Sequence, residues 1–404
     1  MPSPYDAFVA DDGPLGNPFE GMPLFGDIAR MLGQQGGGAW EGARQLAVSV
    51  ATEGSSEPNV DPVERMRIEQ LARVADLRVA DATGLSTSAG GRAVSVLPVN
   101  RTRWVMDSLD AYRPLVERLA EALGPQELPE VDEPDGDPLG GMLSGMLQMF
   151  QPMVLAMTAG SMVGHLAQRT FGQYDLPIPR PLTSPAADEL LLVVPNLDAF
   201  ADEWSLAPDD LRLWICVHEV ATHTVLGVPH VRARLDDLLT RYVSSFRNDP
   251  SALEDRIGDI DLADPAALAN LQEAIGSPEV ILGAITSPEQ DALRPALEAI
   301  VATVVGVVDH IVDVVGSDLI SGYPQLTEAL RRRRVEAAAA DRFVERLFGL
   351  ELTQATYDRG SGFVRGVLAR EDEAGLRRLW AGDEQLPTPA EVDAPGLWLA
   401  RISL

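Results

Sequence analysis

The sequence predicts a mainly α-helical protein with a small β-sheet. Two observations carry this. Along the 404 residues lie many stretches where apolar side chains recur every three or four positions, as on one face of a helix. Only one segment, Glu189–Pro195, is short, apolar, β-branched at its end and stopped by proline, as a buried strand is. No repeat of fixed period is present.

Taken in order, residues 1–60 are rich in Gly, Pro and Ser, with Gln35–Gly38 at their centre and a short amphipathic piece at Phe25–Met31. They read as a flexible N-terminal segment. Residues 61–126 form an N-terminal helical portion. Val63, Met66, Ile68, Leu71, Val74 and Leu77 mark one helix, and Trp104, Leu109, Tyr112, Leu115 and Leu119 a second. Residues 127–141 are an acidic Pro/Gly linker. The main domain spans 142–404. It opens on a methionine-rich stretch and then Pro177–Pro185, too proline-rich for a helix. The strand at Glu189 needs a partner, for which Ala93–Leu97 is the candidate. A helix starting near Pro208, with Asp209 and Asp210 in its first turn, runs from Leu211 to Leu226 and ends at Gly227, with Pro229 beyond. Further helices are expected at Val231–Phe246, Pro295–Val315, Gln325–Phe348, Gln354–Arg370 and Glu373–Trp380.

The chain carries 32 basic and 61 acidic residues, a formal charge of -29. All the basic ones are arginine. A body this negative repels phosphate backbones, which argues against nucleic-acid binding. The single cysteine, Cys216, excludes an internal disulfide and fits a reducing compartment. With an N-terminus lacking the basic and apolar regions of a signal peptide, the expected location is the cytoplasm. Between Asp137 and Arg169 no charged residue occurs, and Met142, Met146, Met149, Met153, Met157 and Met162 cluster there. The stretch is long enough to span a bilayer. It also holds Gln148, Gln151, Pro152, Ser161 and several glycines, so a buried hairpin or partner surface is the favoured reading over a membrane span.

The helix at Leu211 contains Leu-Trp-Ile-Cys-Val-His218-Glu219-Val-Ala-Thr222-His223, close to the zinc-protease pattern H-E-x-x-H. Two histidines four residues apart lie about 40° apart on a helix and can share one metal. The glutamate then polarises a metal-bound water. Here position 222 is threonine, and His223 lies roughly 140° around the helix from His218. A π-bulge between them could restore the geometry. There is no P-loop, no Gly-x-Gly-x-x-Gly after a strand and no Gly-x-Ser-x-Gly.

The block Asn196–Leu206, then His218-Glu-Val, then Leu226–Leu235 resembles an actinobacterial family of zincin-like (type 2) zinc-dependent metallopeptidases. The likeness extends through Asn17–Asp27, Gly172–Arg180, Thr327–Arg334, Glu345–Leu352 and Leu386–Arg401. It implies a zincin-like helical domain, zinc as cofactor, His218 as a metal ligand and Glu219 as general base in peptide-bond hydrolysis. Two departures stand out. Thr222 replaces the second histidine. The family's later Glu-Gly-x-x-Asp pattern reads Val305-Gly306-Val307-Val308-Asp309, so Val305 occupies the position of the third ligand. A catalytic zinc needs about three protein ligands.

The expected function is therefore a zincin-like family protein whose catalytic site is impaired, a pseudo-enzyme that keeps the cleft for an unidentified protein or peptide ligand. The alternative is an active zinc hydrolase that uses a bulged helix or substitute ligands, His218, His223 and Asp309. A third reading is a membrane-associated protein built on the methionine stretch. Against metal ligation, Asp309 and Asp313 read as helix-face carboxylates paired with arginines. His230 reads as a capping or surface residue, His165 as a partly buried one, and Cys216 as an inert buried thiol. Arg331–Arg334 are expected to pair with local carboxylates such as Glu328, Glu336 and Asp341.

Overall fold

The computed structural model describes residues 38–88, 94–123, 153, 155–180, 188–247, 287–335 and 339–403. The linker at 127–141, the segment before residue 38 and Met142, Met146 and Met149 lie outside these. The mainly α architecture is as expected. In chain order the elements are α1 (Ala39–Ala51), α2 (Pro62–Thr83), β1 (Ser95–Val99), α3 (Arg101–Ala122), α4 (155–167), β2 (Glu189–Val193), α5 (Val194–Glu203), α6 (Pro208–Gly227) and α7 (Pro229–Ser244). After these come α8 (Pro288–Leu319), α9 (Tyr323–Val335), α10 (Ala339–Phe348) and α11 (Gln354–Leu376). Two 3₁₀ turns (Arg377–Trp380 and Asp383–Gln385), α12 (Pro389–Asp393) and α13 (Pro395–Ile402) close the chain.

β1 and β2 pair in parallel, Ser95 opposite Glu189 through Val99 opposite Val193. The candidate partner of the strand is thus the right one, two residues further along. Four of the five β2 residues are buried, which is why the segment is apolar throughout and not alternating. On its other edge β2 meets Gly172 in an antiparallel bridge, and the Val193 N–H donates to Phe171 O at 2.9 Å. Asn196 anchors this corner. Its Nδ2 donates to Ala167 O and Thr170 O, and its Oδ1 accepts from Arg101 Nε.

One apolar core runs from Ala47 to Leu399, so the helices of 61–126 bury their faces against the same interior as those after residue 142. At its centre lies α8, packed against α2, α6, α7 and α11. Its apolar run is long enough to cross a membrane, yet most of it is buried inside the protein, the position of a core helix. The crossing with α11 is close: a Cβ on Gly306 would strike the backbone of Gly360, and one on Gly360 would strike Ala302 O.

Four expected boundaries are corrected. Residues 1–60 are not uniformly flexible, because Ala39–Ala51 is a helix. Its face of Ala43, Ala47 and Ala51 lets α4 approach through Gly160 and Gly164, where a Cβ would meet the α1 backbone. Alanine spacing gives little apolar signal. Within the methionine stretch the described residues Ala156, Ala159, Met162, Val163 and Leu166 are buried, and His165 is exposed, not partly buried. The helix expected from Pro295 starts at Pro288, because Ser287 and Gln290 form a capping box that outweighs the interior proline. Gln325–Phe348 is two helices, α9 and α10. In α11 Asp372 adopts φ 56°, so the helix continues past Arg370 only across a kink, and Glu373–Trp380 divides into a helical end and a 3₁₀ turn.

The glycine crossing is testable. Gly306→Ala should lower unfolding free energy by about 1–3 kcal/mol through overpacking, read by urea titration. Gly362→Ala, where an added Cβ meets nothing within 4 Å, should instead be neutral or stabilising by up to ~1 kcal/mol from helix propensity.

Candidate functional site

α6 is buried on nearly all sides, so each polar side chain on it has to find a partner. Its start and end follow the sequence signals: Pro208 with Asp209 and Asp210 at the N-terminus, Gly227 before Pro229 at the C-terminus. Between them the helix is an unbroken α-helix. No π-bulge brings His218 and His223 together, and they face different surroundings.

His218 looks into a cleft. Its side chain is 19% exposed, and its ring stacks on Trp214 with centroids 5.3 Å apart and an 11° tilt. Its Nδ1 is 3.4 Å from Glu219 Oε1. Glu219 is 1% exposed. Its Oε2 accepts the backbone N–H of Gln173 at 2.8 Å and of Tyr174 at 3.0 Å, and a Cβ on Gly172 would collide with its carboxyl group. Burial pushes the Glu219 carboxyl above the usual carboxylate range, against the opposing pull of His218 and of the Tyr174 N–H.

His223 lies buried on another side of the helix. Its Nδ1 is 3.0 Å from the Tyr174 hydroxyl, and its Nε2 is 3.5 Å from Asp188 Oδ1. Burial lowers its pKa below the ordinary imidazole value. Thr222, at the expected ligand position, is 3% exposed and donates its hydroxyl to the His218 carbonyl at 2.8 Å. That is a bond to its own helix, not to the His218 ring. Val305 lines the same cleft as His218, Glu219 and Thr222, so an apolar wall stands where the family resemblance implies a glutamate.

Asp309 also lines the cleft but is occupied: Arg334 grips it with two bonds of 2.9 and 3.1 Å. The guanidinium of Arg334 lies 4.0 Å from the Tyr357 ring centroid. Next to it, Arg333 sits 3.6 Å from the Phe171 ring centroid and donates to Arg169 O and Asp175. Among the described residues Arg332 pairs locally, with Glu328 at 2.8 Å, while the side chains of Glu336 and Asp341 lie outside those described. The expected pairing of the whole arginine run with nearby acids is thus corrected for Arg333 and Arg334, which reach across to cover the cleft. Asp313 binds the Tyr323 hydroxyl instead of an arginine. His310 pairs with Glu373 at 2.8 Å, His230 with Leu379 O at 2.8 Å, and Cys216 is fully buried with its thiol pKa raised.

The donor set does not fit a catalytic zinc. Of the proposed ligands His218, His223 and Asp309, only His218 is both unclaimed by a strong partner and turned to the cleft. Among the described residues no group of three His, Cys, Asp or Glu side chains is placed to hold a metal ion. Sequence reasoning missed Tyr174, Asp188 and Trp214. The run Gly172-Gln-Tyr-Asp carried the signal for the first, but nothing local shows that it folds back onto α6.

A family model described as zincin-like metallopeptidase matches residues 39–399. A crystal structure from Chloroflexus aurantiacus, described as a candidate hydrolase with a novel fold, superposes with a TM-score of 0.62 at 24% identity, covering 90% of this chain and 98% of that one. A search of curated proteins finds no match.

The buried carboxyl group sets a pH dependence. Its pKa is raised in the folded state, so the folded chain holds this proton more tightly than the unfolded chain. The resulting stability is present below the unfolded value of ~4.3 and is lost as pH rises through the folded value. Chemical denaturation across pH should therefore show Glu219→Gln gaining stability relative to the wild type as pH rises from acid to neutral. A difference that is flat or falls with pH contradicts this placement of the charge.

Proposed function

The chain belongs to the zincin-like metallopeptidase family, and from that membership and the donor set of its cleft we propose that it is a catalytically impaired member, a pseudo-enzyme that uses the cleft to bind a protein or peptide ligand. The observation that carries this is the joint state of the ligand positions. Thr222 bonds to its own helix, Val305 is apolar, and Asp309 is held by Arg334. His218 alone offers a ring nitrogen to a metal, and one protein ligand falls short of the three a catalytic zinc uses.

Glu219 supports the same reading. A general base in a zinc hydrolase has to reach the metal-bound water. Here Oε2 is taken by two backbone N–H groups and Oε1 lies against His218. Hydrogen bonds to a charged group contribute about 1.5–3 kcal/mol each, so turning this carboxylate toward a water would cost more than a thermal fluctuation supplies. What remains is a cleft of mixed lining, walled by Trp214, Tyr357, Val305 and the stacked Arg333 and Arg334, where a peptide ligand would find apolar, aromatic and cationic contacts.

Elemental analysis of protein purified without a metal-affinity tag tests this. Zinc well below one ion per chain is expected, unchanged by His218→Ala. The double variant Thr222→His, Val305→Glu should gain zinc and lose it again when His218→Ala is added. Near-stoichiometric zinc in the wild type that vanishes in His218→Ala would sink the proposal and favour the active hydrolase.

A further inference from the structure

α2 is apolar on two faces. Ile68, Ala72, Ala75 and Val79 are buried in the core. On the opposite side Val63, Met66, Val74 and Leu77 are 66, 56, 40 and 70% exposed. These are four of the six large hydrophobic side chains that stand exposed among the described residues. At 100° per residue they fall within about 80° of one another, with Gln70 in the middle. Single exposed apolar side chains need no explanation, but a continuous stripe on one helix marks an interaction surface.

We propose that this stripe is a homodimer interface, in which α2 of two copies packs antiparallel across a two-fold axis at Gln70. The spacing selects this occupant. Val63 and Leu77 stand seven residues before and after Gln70, and Met66 and Val74 stand four before and after. A two-fold axis through Gln70 therefore lays Val63 against the partner's Leu77 and Met66 against the partner's Val74. Each half reads as the 3,4-spaced seam of a coiled coil, in opposite directions. A foreign ligand would not require that symmetry, whereas an isologous contact must have it. The flanking charges agree. Glu69 and Arg73 sit on one side of the stripe, and among the described residues neither forms an ion pair. The same axis sets Glu69 next to the partner's Arg73, and Arg73 next to the partner's Glu69. One helix pair is smaller than a standard interface of roughly 1,600 Å², so the dimer should be weak and concentration-dependent. Because both copies carry a charge of -29, it should tighten as salt screens their repulsion.

Sedimentation equilibrium on the full chain is the test. A monomer–dimer equilibrium is expected, strengthened by salt. Met66→Glu or Leu77→Glu should weaken it by roughly tenfold or more, with circular dichroism unchanged because both side chains are exposed. Gln70→Cys adds a direct probe of the axis. The native Cys216 is buried, so mild oxidation should give a covalent dimer from Gln70→Cys and none from a control at exposed Glu117→Cys. A chain that stays monomeric at all loadings, whether another part of itself or a different protein covers the face, overturns the proposal. So does a dimer indifferent to both glutamates, or equal cross-linking from the control.

Discussion

The carboxylate of Glu219 is the constraint on which the arrangement of the cleft depends. It is buried inside a helix with almost no solvent, where an unpaired charge would cost several kcal/mol. The chain offsets part of that cost by bringing the Gln173 and Tyr174 N–H groups onto Oε2, although burial still leaves the carboxyl's pKa raised. To do so, residues 170–174 must run between α6 and the edge of β2, and Gly172 must lie so close that a side chain there would collide with the carboxyl group. The same run supplies the Gly172 carbonyl that accepts from Trp104 Nε1 and from the Thr170 hydroxyl, and it places the Tyr174 hydroxyl on His223. The sheet edge, the first helical portion and the candidate site are therefore tied to one acidic side chain.

On the far wall of the cleft the organising contact is the glycine crossing of α8 and α11. Because Gly306 and Gly360 let the two backbones touch, α11 comes near enough for Tyr357 to lie under Arg334, and Arg334 reaches Asp309 one turn after Val305. Arg333 and Arg334 are largely desolvated, and both are stacked on aromatic rings. Burial lowers the pKa of Arg333, whereas the charge of Asp309, with Tyr357, helps to raise that of Arg334. In a chain of net charge -29 these arginines are structural counter-charges, and Arg334 engages both carboxylate oxygens of Asp309.

Much of this was legible in the sequence, where the signal is local. The bounds of α6 follow from Pro208, two aspartates and Gly227, and the strand pair follows from two short apolar runs. The pairing of Asp309 with an arginine follows from the excess of ion pairs over metal sites in proteins. What was not legible depends on distant contacts or on competition between local signals. Alanine and glycine faces, as between α1 and α4, carry no hydrophobic periodicity although they pack closely. The Ser287–Gln290 capping box won over Pro295, whose lost hydrogen bond is tolerated seven residues inside a long helix. Tyr174 and Asp188 reach His223 only because the chain doubles back, and no spacing rule encodes that return.

Positions 222 and 305, where the family resemblance implies metal ligands, are alike in what they present. A site that had merely lost its metal would hold polar atoms aimed at an empty centre, each paying the cost of an unsatisfied donor or acceptor. At position 222 the hydroxyl is satisfied by the carbonyl four residues earlier, so it asks nothing of the cleft. At position 305 valine presents only methyl groups and belongs to the buried core. Arg334 engages both carboxylate oxygens of Asp309, and the Tyr174 hydroxyl engages Nδ1 of His223, with Asp188 3.5 Å from its Nε2. The remaining His218 ring is held by stacking on Trp214 and by its approach to Glu219. Thr222, Val305 and Asp309 are each engaged within the protein, and the proposed binding role rests on that joint engagement more than on the identity of any single residue.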